Sequence, residues 1–166
     1  MKNLKKFYSR TFLNVILIYS ITFVISFFVI YFSNIQITQD VNRINHQYIS
    51  FNTFIKIFIN NFKVYIILLT GFFLLKIPTI INLISNAIML GASLGAIHEF
   101  HNVLIPIFIH GIPELIGFFI AAYIAFLGKQ KFILNKKFNI SLLFIGVFFI
   151  FIAALIETYI SPLFLK

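Results

Sequence analysis

VLIPIFIHGIPELIGFFIAAYIAFL, residues 103–127, is apolar for long enough to cross a bilayer, yet it holds His110, Glu114 and two prolines, Pro106 and Pro113. About 20 largely apolar residues make a spanning helix. A carboxylate at the centre of such a span costs roughly 2.5–3.5 kcal/mol on insertion scales, so a chain that keeps one there pairs it or uses it. Three of the four acidic residues, Glu99, Glu114 and Glu157, lie in or beside apolar stretches of this kind, and His98, His101 and His110 accompany them.

Working outward, the rest of the chain has the same character. Of 166 residues, 61% are hydrophobic and 10% charged, with a mean hydropathy of +1.03. A soluble domain carries roughly 25% charged residues, so this composition is that of an integral membrane protein. Further spans are predicted near 11–32, 54–75, 78–97 and 140–163. With 103–127 they make five, and the fold class is an all-α, polytopic membrane helix bundle forming one domain over 1–166. The first span follows a basic start and lacks a small-residue cleavage site, so it reads as a retained helix and not a removed signal. The polar stretch 33–53 reads as an outer loop. Phe51, Phe54, Ile55 and Phe58 at helical spacing suggest an amphipathic helix on the membrane surface before the second span. Lys76-Ile77-Pro78 is short enough to make the second and third spans a close hairpin.

Charge sets orientation. An N terminus in the cytoplasm of a multi-pass cell-membrane protein puts Lys2, Lys5, Lys6, Arg10, Lys76, Lys129, Lys131, Lys136 and Lys137 inside. It leaves Arg43, Lys56, Lys63 and Lys166 outside, as the positive-inside rule requires, with the C terminus outside as well. The net charge of +9 thus flanks apolar spans and offers no basic face to nucleic acid. With no cysteine, disulfides and thiolate metal sites are excluded. No phosphate loop, nucleotide fingerprint or serine elbow is present. The tyrosines at 19, 31, 48, 65, 123 and 159 read as markers of the membrane interface.

Small residues let helix backbones approach where lipid supplies no hydrophobic drive. Ala87, Gly91 and Gly95 form one such stripe, Gly117, Ala121 and Ala125 a second, and Gly146 with Ala153 a third. The ionisable residues share these faces: His110 and Glu114 with Gly117, Glu157 with Ala153, His98 with Gly95. They are therefore expected to point into the bundle. His110 lies roughly 10 Å from the outer end of its span at the α-helical rise, and Glu114 one turn deeper. Pro113 frees the carbonyl of Ile109, so residues 110–114 are expected to form a kinked or broken turn.

Three readings of the cluster stay open. In the first, His110 is simply the hydrogen-bond partner of Glu114 or Glu157, holding two helices together. Alternatively His110, Glu114 and Glu157, with His98 and His101, make a nitrogen and oxygen set suited to zinc. With an open position that site would activate water as an intramembrane metal-dependent peptidase, with His110, Glu114 and Glu157 as its catalytic residues. The third reading is an ion- or proton-coupled transporter. His98-Glu99-Phe100-His101 is not a His-Glu-x-x-His motif, because the second histidine comes one residue early.

The order of several motifs resembles the stage II sporulation protein M family. These are Ile57-Phe58-Ile59-Asn60-Asn61-Phe62-Lys63-Val64, Gly71, Ile77-Pro78-Thr79, and Asn86 with Gly91 and Gly95. Ile109-His110-Gly111-Ile112-Pro113-Glu114-Leu115 resembles that family's His-Gly-x-x-Glu helix, and Ala153-Ala154-Leu155-Ile156-Glu157 its closing Ala-x-x-Glu segment. The resemblance spans roughly residues 10 to 163 and implies a polytopic membrane protein of Gram-positive type. It implies one of two settings. Small members accompany circular bacteriocin maturation and export. The namesake anchors cell-wall hydrolases during sporulation engulfment, as a non-enzymatic scaffold. Expected partners are the lipid bilayer and either a hydrophobic peptide substrate or membrane and cell-wall proteins, with an exporter or further copies of the chain beside it. The compact chain fits the bacteriocin setting better, which makes it a maturation or export component. Any chemistry of His110, Glu114 and Glu157 is read from the residues, not from the resemblance.

Overall fold

A computed structural model describes residues 2–33, 49–97 and 101–164 of the chain. Helix α1 runs Lys2–Phe32, α2 Phe51–Thr70, α3 Ile77–Ala96, α4 His101–Leu127, α5 Lys129–Leu134 and α6 Lys136–Leu155. A π-helical turn, Ile156–Ile160, and a 3-10 turn, Ser161–Phe164, continue α6. Five segments are long and apolar enough to cross a bilayer: Arg10–Phe32, Phe51–Thr70, Ile77–Ala96, Leu104–Leu127 and Lys136–Phe164. The all-helical bundle expected from the sequence is the fold observed.

The second span differs in its start. Ser50 caps α2 by accepting from the Thr53 N–H at 3.1 Å, so the helix opens at Phe51. The amphipathic stretch from Phe51 to Phe58 is the first two turns of this span and not a separate surface helix. Its aromatic residues are the reason. Phe54, Phe58, Phe62 and Tyr65 stack ring on ring along one face, and Phe151 of α6 packs edge-on against Phe54 and Phe58 at 5.4 and 5.8 Å. Burying that face against α6 outweighs leaving it at an interface.

The hairpin between α2 and α3 closes as expected. Leu75 and Lys76 adopt φ of 51° and 68°, left-handed values that only a tight turn imposes on such residues. The fully buried Thr79 donates to the Leu68 carbonyl at 2.6 Å across the hairpin, and Gly71 leaves room for the Thr79 hydroxyl. Replacing Thr79 by Val keeps the shape and removes this bond. A loss of about 1 kcal/mol is expected, read as a lower melting temperature of the purified protein.

The small-residue stripes find their partners, one of them on an unexpected helix. A Cβ at Gly117 would meet the Gly146 carbonyl at 3.0 Å and Ile150 Cδ1 at 2.7 Å, so α4 and α6 touch backbone to backbone. Gly146 in turn receives the ring of Tyr65, whose hydroxyl donates to the Leu143 carbonyl at 2.9 Å. The α3 stripe faces α1. A Cβ at Gly91 would lie 2.5 Å from the Phe23 carbonyl oxygen, and one at Gly95 would lie 2.7 Å from that of Phe27. Ser26 crosses the same seam, donating to the Ile88 carbonyl at 2.9 Å. The bundle is therefore built from two tight pairs, α1 with α3 and α4 with α6, with α2 packed against α3, α4 and α6. Val15, Tyr19, Leu68, Leu83, Ala87, Phe118, Ala121 and Ile150 form the shared core.

Two tyrosines expected at the membrane interface are core residues instead. Tyr19 is 5% exposed and Tyr65 only 1%. Each ring fills a hollow between helices, which an apolar body with one hydroxyl does well when that hydroxyl finds a partner.

Candidate functional site

α3 and α4 barely touch, and the space between them is where the polar residues collect. A cavity of about 230 Å³ opens there, lined by Asn86, Met89, Leu90 and Ser93 of α3, Tyr19 of α1, and Ile107, His110, Gly111, Glu114, Leu115 and Phe118 of α4. Met89, at its rim, is 69% exposed. His110 and Glu114 are four residues apart and so lie one above the other on α4.

α4 stays helical through Pro106 and Pro113, so residues 110–114, expected as a kinked or broken turn, are not broken. Neighbouring helices support a proline-bearing helix by satisfying or covering the groups it frees. The turns that follow α6 pack against this part of α4. Ser161 Oγ lies 3.2 Å from His110 Nδ1 and 3.5 Å from the Pro106 carbonyl, a long contact to an oxygen beside the helix's weak point.

Ser161 is brought there by the π-helical turn. Its own N–H bonds back to the Ile156 carbonyl, five residues earlier. Turns of this kind are rare and gather at functional sites. This one carries Glu157, which lies within electrostatic range of both Glu114 and His110. The Tyr19 hydroxyl is in turn within range of Glu114, and its ring packs edge-on against Phe119 at 5.1 Å. Asn86 spends its amide nitrogen on Asn82, donating to the backbone carbonyl at 2.9 Å and to Oδ1 at 2.7 Å. Its own Oδ1 remains as an acceptor for the cavity.

A second hollow, of about 270 Å³, adjoins the first and shares Tyr19, Leu90, Ile107, Gly111 and Leu115 with it. Its remaining lining is Ser20, Phe23, Leu94, Phe108, Ile112 and Phe119, almost wholly apolar. Gly111 stands where the two meet, and a Cβ added there would meet nothing within 4 Å. The two hollows form a groove with a polar end and an apolar end.

Of the residues singled out from the sequence, His110 and Glu114 line the cavity together, and Glu157 lies within electrostatic range of both. His98 and Glu99 lie outside the described residues. His101 opens α4, and its side chain also lies outside them. Among the described residues no group of three His, Asp or Glu side chains stands close enough to hold a metal ion. Tyr19, Ser93 and Ser161 were not among the residues singled out for this site. Ser161 was hidden because the wider turn moves it out of the α-helical register that its spacing of four from Glu157 implies. Tyr19 carried no signal, because nothing in the α1 sequence marks the face that meets α3.

A family model described as Stage II sporulation protein M matches residues 14–162. No curated protein and no solved structure matches the chain.

Proposed function

This chain belongs to the stage II sporulation protein M family, and from that premise we propose that it is a maturation or export component for a secreted hydrophobic peptide. The peptide enters the groove between α3 and α4 from the membrane, its apolar side chains in the apolar end and a polar group against His110 and Glu114. With the N terminus in the cytoplasm, this site lies in the outer half of the bilayer, on the side to which such a peptide is delivered. His110, Glu114 and Glu157 supply proton transfer and electrostatic stabilisation to the peptide's reacting or translocating group.

One observation carries this reading: a groove of mixed character, open at its rim, beside an ionisable triad inside an otherwise apolar bundle. A scaffold that only holds hydrolases at the membrane has no need of such a groove. A coupled transporter would use the same acids, and it is told apart by whether peptide is processed or moved at all.

Gly111 gives the direct test. Gly111→Leu adds bulk at the junction of the two hollows, where its Cβ meets nothing within 4 Å, and leaving glycine for leucine favours the helix by somewhat under about 1 kcal/mol. Protein level and melting temperature are expected to hold or rise. Mature peptide released by producing cells is expected to fall by about tenfold or more, equivalent to about 1.4 kcal/mol of lost binding. Unchanged release by a well-folded Gly111→Leu protein would remove the groove from the function.

A further inference from the structure

The polar end of the groove gathers carboxylate and amide oxygens beside the Tyr19 and Ser93 hydroxyls, which can accept as well as donate. Glu114 lines it, Glu157 stands behind within electrostatic range, and Asn86 offers an oxygen because its nitrogen is spent on Asn82. His110 has its Nδ1 engaged with Ser161. Among the described residues no lysine or arginine lines the cavity, although the chain as a whole carries a net charge of +9. A site of this kind is completed by a ligand that brings positive charge and several hydrogen-bond donors. Those are the properties of an ammonium group. The adjoining hollow takes apolar atoms.

We propose that the groove binds a primary amine carried on an apolar peptide, with the ammonium seated between Glu114 and Asn86 and the neighbouring apolar residues in the hollow lined by Phe23, Phe108 and Phe119. The inference rests on the reading under Proposed function and adds the chemical group that the site selects. The amine comes from the peptide's N terminus or from a lysine side chain. Depth argues for a peptide over an amine-bearing lipid. Glu114 lies roughly 20 Å along α4 from its first residue, at 1.5 Å per residue. A phospholipid headgroup would have to leave the interface to reach it and would bring a phosphate towards two carboxylates, whereas a peptide chain can extend that far with an uncompensated positive end.

The full-length protein in phosphatidylcholine nanodiscs is titrated with three fluorescent Ala/Leu peptides. One has a free N terminus, the second is N-acetylated, and the third is N-acetylated with a single internal lysine. The free-amine peptide is expected to bind about tenfold tighter than its acetylated twin, a difference of about 1.4 kcal/mol. Glu114→Gln is expected to erase that difference, and a melting temperature close to that of the unaltered protein reports that the variant is folded. Recovery of tight binding by the lysine peptide assigns the amine to a side chain, and its absence assigns it to the N terminus. Equal binding of free and acetylated peptides by the unaltered protein, with the lysine peptide no better, overturns the amine proposal and leaves the groove reading standing. Failure of all three to bind overturns both. Displacement of the free-amine peptide by phosphatidylethanolamine places a lipid in the site and overturns the peptide assignment.

Discussion

Glu114→Gln is expected to abolish peptide maturation or export, lowering it by about 10²-fold or more, the range associated with removing a positioned proton-transfer group. Glutamine has nearly the volume and shape of glutamate, so packing around the cavity is kept. What is lost is the charge and the ability to exchange a proton with His110, Glu157 or a ligand. The measurement is mature peptide released by producing cells, normalised to the amount of the protein in the membrane. Normal protein levels with lost release identify a chemical role for the carboxyl. Parallel loss of protein and release identifies a structural pair, because removing one partner of a buried charged network destabilises the fold. Glu157→Gln should behave in the same way if the two acids act on one group, and the double substitution should then be no worse than either alone.

The second large effect is on stability, and it lies at the seam between α1 and α3. A Cβ at Gly91 would lie 2.5 Å from the Phe23 carbonyl oxygen and 3.1 Å from the Phe27 nitrogen. Both are backbone atoms, so no side-chain rotation relieves the clash. Gly91→Leu therefore has to push the helices apart, and the Ser26 bond to the Ile88 carbonyl goes with them. A loss of about 1–3 kcal/mol is expected from the overpacking alone. Gly111→Ala is the matched control, since its added carbon meets nothing within 4 Å. Melting temperatures of the two variants should diverge, with Gly91→Leu well below the unaltered protein and Gly111→Ala at or above it.

Much of this architecture is legible in the sequence because a bilayer imposes a simple rule. Every backbone polar group in lipid must be bonded within its own helix, so long apolar runs become spans whatever their neighbours are. The cost of a membrane-embedded acid points to Glu114 and Glu157 for the same reason. The glycine stripes were readable as contact faces, but not their partners. Gly91 and Gly95 receive the backbone of α1 at Phe23 and Phe27, where Ser26 is a single small residue among aromatic and aliphatic ones and makes no stripe. Tyr19 was hidden for the same reason. The continuity of α4 through Pro106 and Pro113 was unreadable because the elements packed against it, the turns after α6 among them, are distant in sequence and absent from a wheel drawn on α4. The side chains of His98 and His101, expected at the same site, lie outside the described residues.

The extra residue in the turn at 156–160 has a further consequence for how the end of the chain can vary. An uninterrupted α-helix advances about 100° for each residue, so the wider turn leaves everything after it out of phase with α6 by about that angle. Ser161 reaches His110 only in this offset register. Deleting one residue within the turn would restore regular winding and swing the hydroxyl to another side of the bundle. Chains that keep every polar residue of the site but differ by one in length here would therefore present a differently assembled centre, and alignments that slide a gap freely through this segment would pair residues that do not share a place in space.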